Sequence, residues 1–130
     1  MNEILLVSIL QVIIALGLIN VWLVRSGSKT KYRGAGAQNM KEEFKVYGLP
    51  IWFMYAVGFF KIVIAVVMLV DVFYPNLILN LSLPASILLA ILMLGAISMH
   101  IKVKDSFVKM VPAISMLIMS TLVAYLLSQI

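Results

Sequence analysis

The chain contains no cysteine, which excludes disulfides, a CxxC redox pair, a thiolate metal site and a cysteine nucleophile. Histidine occurs once and Asp plus Glu five times, which argues against a self-contained metal cage. Neither GxGxxG nor a GxxxxGK run ending in Ser or Thr is present, so no nucleotide-phosphate cradle is encoded. Charge is also scarce, at 12% of residues against about 25% in ordinary soluble domains, whereas apolar residues reach 64%. These shortages leave little for catalysis by protein groups and argue against a soluble globular domain. What remains, in 130 residues of mean hydropathy +1.13, is the composition of a small polytopic membrane protein.

A helix crosses about 30 Å of hydrocarbon with about 20 apolar residues. Four stretches qualify, at about 4–24, 50–70, 81–100 and 108–128. Each is apolar on all faces, as expected when lipid surrounds the bundle. The first is an anchor rather than a cleaved signal: Glu3 precedes it, no basic residue does, and its basic cluster follows the apolar run. Together they predict an all-α, antiparallel four-helix transmembrane bundle forming one domain over 1–130.

The basic residues fix an orientation. Arg25, Lys29, Lys31, Arg33, Lys41 and Lys45 lie in the first connection, and Lys102, Lys104 and Lys109 in the third. Lys61 lies inside the second span, and the remaining flanks contain no Lys or Arg. The positive-inside rule then places loops one and three in the cytoplasm and both termini outside, in a bacterial inner membrane. The pI near 9.6 is thereby accounted for by anionic headgroups, and nucleic acid is not an expected partner.

In the first connection, 26–37 reads as a flexible basic loop with three glycines. Residues 38–47 read as a short helix with Met40, Phe44 and Tyr47 on one face, stopped by Gly48-Leu49-Pro50. Such a helix either lies in the interface as an anchor or folds back under the bundle as a gate. Tyr74 and Trp52 mark opposite ends of the second span, like aromatic belts. Asn80-Leu81-Ser82 matches the weak N-x-S/T acceptor pattern.

The basic loop, Met40, Phe44, Gly48-Leu49-Pro50, Ala56 to Lys61, Leu94-Gly95-Ala96 and His100 together resemble the DoxX-like family of small four-helix membrane proteins. The resemblance covers most of the chain. It implies a four-helix bundle, with some relatives linked to quinone-coupled sulfur oxidation or membrane redox complexes and an animal branch assisting ion-channel assembly. One departure matters. Relatives typically have Glu three residues after the second-span glycine, and this chain has Lys61 there, after Gly58.

Lysine at mid-bilayer costs at least about 2.5–3.5 kcal/mol, so Lys61 should face the interior or a wet cavity and find partners. Counted from the outer ends, Gln11, Lys61, Ser120 and Thr121 agree in depth to within about 3 Å. If their faces converge they form one polar layer, with no carboxylate level with it. Two readings follow: a lysine satisfied by packing and internal hydrogen bonds, or a cation awaiting a quinone-like carbonyl, a lipid acid or an acidic side chain of a partner helix. A Schiff-base role lacks a second catalytic group. His100 reads as an interface residue bonded to headgroups or a carbonyl, with a proton-relay step as the alternative. Asn20 reads as a helix–helix hydrogen-bond residue. Gly17, Ala56, Gly58, Ala90, Gly95 and Ala96 are expected at close helix contacts, and the nine methionines as adaptable packing.

The candidate ligand- or partner-binding residues are therefore Lys61, Gln11, Ser120, Thr121, His100 and Asn20, with no catalytic or metal-ligating set. The preferred function is a non-enzymatic bundle holding a small hydrophobic ligand, quinone or lipid. The alternative is an accessory or assembly subunit docked on a larger redox or transport complex. A homo-oligomer fits either, and no resident cofactor beyond such a quinone or lipid is expected.

Overall fold

In the computed structural model, which describes residues 2–75, 77 and 81–130, the chain is helical throughout its long elements. Helix α1 (Asn2–Ile19) runs into a π-turn at Asn20–Val24. A 3-10 turn at Gly34–Gly36 and the short α2 (Met40–Val46) precede α3 (Ile51–Phe73). The chain closes with α4 (Ser82–Lys102) and α5 (Phe107–Gln129). Counting α1 with its π-turn, the four long helices are apolar and long enough to cross a membrane, and they match the four expected spans with end shifts of a few residues. Asn80 of the acceptor pattern lies outside the described residues.

The long helices close a square. α1 packs on α3, α3 on α4, α4 on α5 and α5 on α1, the α4–α5 and α1–α3 pairs being the most intimate. Between them lies one core of Ile14, Ile64, Met68, Leu89 and Val123, with Ala15 and Ala65 bringing backbones close. Large apolar side chains such as Leu16, Phe59, Ile91 and Ile118 point outward. That inversion suits a hydrocarbon solvent, in which tight packing and polar contacts, not apolar burial, hold helices together.

Gly17 and Gly58 sit at close contacts as expected, facing Met116 and Trp22. Gly95 does not: it faces open space on the exposed side of α4. Exposed Trp52 and Tyr74 stand at opposite ends of α3, as aromatic belts require.

Local chemistry dictates α2. Asn39 caps its start, Oδ1 accepting from Glu42 N at 2.9 Å. At its other end Gly48 takes φ 80°, Gly48 N bonds Lys45 O and Leu49 N bonds Phe44 O, both at 3.0 Å. This is the Schellman arrangement that a left-handed glycine permits. Of the two dispositions open to it, α2 folds back under the bundle. Its buried residues are Met40 and Glu43, followed by Tyr47, while Phe44 is half-buried.

Candidate functional site

The polar chemistry gathers at the end of the bundle that carries the basic connections. Arg33 and Glu43, both buried, pair at 3.1 Å. Glu43 also accepts from Gly34 N at 2.7 Å and from the Tyr47 hydroxyl at 2.8 Å. Arg33 donates to the carbonyls of Arg25, Ser26 and Ser28. The connection expected to be a flexible loop is thus pinned around one guanidinium. Gly34 is required there, because a Cβ would meet the Tyr47 ring at 2.6 Å.

This knot is fastened to the α4–α5 turn. Asp105 Oδ1 accepts from Ala35 N at 3.0 Å, Lys102 Nζ donates to Tyr47 O at 2.7 Å, and Lys109 Nζ to Arg33 O at 2.9 Å. Asp105 Oδ2 lies 2.7 Å from His100 Nδ1. Burial pushes the Asp105 carboxyl up, but the hydrogen bonds from His100 and Ala35 and the nearby charges of His100 and Lys109 outweigh it and hold the group below its ordinary value. As a carboxylate it accepts, so His100 Nδ1–H is the donor. Burial, then the adjacent Glu43 charge and its hydrogen bond, push the Tyr47 phenol far above its ordinary range, which keeps it a donor. His100 is therefore buried against Tyr47, their rings T-shaped at 6.0 Å, and not among headgroups as its sequence position suggested.

Above this knot sits Lys61, 7% exposed. Its Nζ stands 5.2 Å from the centre of the Trp22 ring. Among the described residues it has no hydrogen-bond acceptor and no counter-ion within bonding distance, and its Nζ keeps some accessible surface. Trp22 rides on the π-turn, a form common at functional sites, and packs against Gly58, where a Cβ would meet the indole at 2.7 Å. Beyond the indole opens a groove of about 570 Å³, within the range of small-molecule sites. It is lined by Trp22, Leu23, Met40, Met54, Tyr55, Gly58, Phe59 and Ile62 together with Ser26, Gly27, Asn39 and Lys41.

The expected single polar layer divides in two. Side chains lean toward the N-terminus of their own helix. Lys61 on α3 leans to the basic end and Gln11 on α1 to the opposite end. Gln11 Nε2 donates to Ser82 Oγ at 2.9 Å and Asp71 Oδ2 at 3.3 Å, and Ser82 Oγ donates to Asp71 Oδ2 at 2.9 Å. Buried Ser120 bonds back to Leu117 O, and Thr121 faces outward. Asn20 is exposed and its side chain bridges no helix; it opens the π-turn, and its carbonyl accepts from Arg25 N. Of the candidates, Lys61, His100 and Asn20 lie in the basic half, and of these Lys61 and His100 are buried, with Trp22, Glu43, Arg33, Tyr47 and Asp105 beside them.

The fold and its apolar surface define an integral membrane protein built as a four-helix bundle. A family model described as the DoxX-like family matches residues 9–123, and the chain belongs to that family. No curated protein and no solved structure matches it significantly.

Proposed function

We propose that this chain is a non-enzymatic ligand-binding bundle that takes a small amphiphile, a quinone or lipid, from the surrounding hydrocarbon. The observation that carries the reading is Lys61, a residue of low exposure whose ammonium has no acceptor among the described residues and lies against the Trp22 ring that lines an apolar groove. An isolated buried cation is costly, and a bound head group that hydrogen-bonds to it relieves that cost. A small ligand is preferred here to an acidic side chain from a partner helix because the ring lying against the Lys61 ammonium, Trp22, is itself part of the groove's lining. The basic end is read as cytoplasmic in a bacterial inner membrane, which places the groove in the inner leaflet.

Native mass spectrometry with lipid extraction tests the proposal on wild type beside Lys61→Met. A small molecule bound to the wild type and lost from the variant supports it. A wild-type protein without adducts, indifferent to the substitution, would sink it. A co-purifying polypeptide lost from Lys61→Met would favour the accessory-subunit alternative instead.

A further inference from the structure

Building on the ligand-binding reading above, we infer that the head group this site takes is a carboxylate on a single long hydrocarbon chain, a free fatty acid, rather than a neutral carbonyl. The argument rests on charge and on lone pairs. The basic end buries two cations, Arg33 and Lys61, beside the carboxylates of Glu43 and Asp105, with Lys109 half-buried and Lys102 exposed at its edge. Both carboxylates are already occupied. Glu43 serves Arg33, Gly34 N–H and the Tyr47 hydroxyl; Asp105 serves His100 and Ala35 N–H. Lys102 and Lys109 donate to main-chain carbonyls. Lys61 is left without acceptor or counter-ion among the described residues. A neutral carbonyl would give it lone pairs and leave the buried charge uncompensated. A carboxylate supplies both, through the shorter and stronger charge-assisted bonds.

The tail has a place of its own. The groove's lining includes the exposed apolar side chains of Leu23, Tyr55 and Phe59, against which a hydrocarbon chain can lie. Its volume suits one chain rather than a diacyl lipid. The head reaches Lys61 by displacing the Trp22 indole, exchanging a cation–π contact for an ion pair.

Binding of radiolabelled palmitate to the purified full chain, with hexadecanol and palmitoyl lysophosphatidate as competitors, decides the matter. We expect palmitate to bind at least about tenfold tighter than hexadecanol, a preference lost in Lys61→Met and kept in Lys61→Arg. Gly58→Leu, which fills the Trp22 contact, should abolish binding of both. Equal affinity for palmitate and hexadecanol in the wild type, both abolished by Gly58→Leu, overturns the carboxylate assignment and leaves the groove as a ligand site. A lysophosphatidate preference overturns it in favour of a phosphate head. No binding of any probe overturns it as well, and if native mass spectrometry also finds no adduct, the ligand-binding reading falls with it. The comparison of acid with alcohol is made on the wild type, so it survives a variant that does not fold.

Discussion

The two ends of this bundle solve the problem of polar groups in a membrane protein differently. At one end Gln11, Asp71 and Ser82 make a small triangle in which each side chain has at least two polar partners in the group. At the basic end, Arg33, Glu43, Tyr47, His100 and Asp105 make a dense knot, with Lys61 left over above it. The first set is closed and needs nothing more. The second is saturated at its base, while Lys61 above it makes no hydrogen bond among the described residues.

The sharpest way to break that contrast is Arg33→Met. It strands the Glu43 carboxylate, and losing one partner of a buried pair costs about 3–5 kcal/mol. Thermal melts in detergent should show a large loss, much of it regained in the double variant Arg33→Met/Glu43→Met, whose apolar pair leaves no buried charge. A small loss in the single variant would mean that the knot does not hold the basic end.

A smaller effect follows from acid. The Asp105 carboxyl is held below the ordinary value near about 3.9. Its folded form therefore favours the carboxylate, and the stability it contributes is complete well above about pH 4 and fades as pH falls through the lower folded value. Melts between neutral and about pH 3 should show this loss, and Asp105→Asn should lower stability at neutral pH by about 1–3 kcal/mol while flattening the acid slope. An unchanged slope in the variant would assign the acid sensitivity to other carboxylates. The mildest case is Gln11→Leu at the closed end. Ser82 and Asp71 still satisfy one another, so the expected cost is about 0.6 kcal/mol and no more than about 1.7.

The bundle itself was legible because lipid-facing helices are apolar on every side and the basic residues punctuate them. Periodicity also located α2 and its glycine stop. Depth counting failed for Gln11 and Lys61 because it places Cα atoms, while the Cα–Cβ direction carries two polar heads apart when their helices run antiparallel. Glu43 carries a signal in the sequence: it stands three residues after Met40 and four before Tyr47, a charge on the apolar face of α2. Trp22, four residues after Leu18, continues the buried row of Val7, Gln11, Ile14 and Leu18 on α1. Nothing local marks Asp105 as the partner of Ala35, because that contact joins two connections 70 residues apart.

That long-range fastening bears on how the protein comes into being. α1 and α3 form one helical hairpin and α4 and α5 another, and the bonds from Lys102, Asp105 and Lys109 reach back to the loop of the first. During synthesis, the first hairpin emerges with Arg33, Ala35 and Tyr47 lacking these partners. Its floor is completed only when the second arrives. A nascent chain stalled before α4 would therefore display an unsealed basic loop.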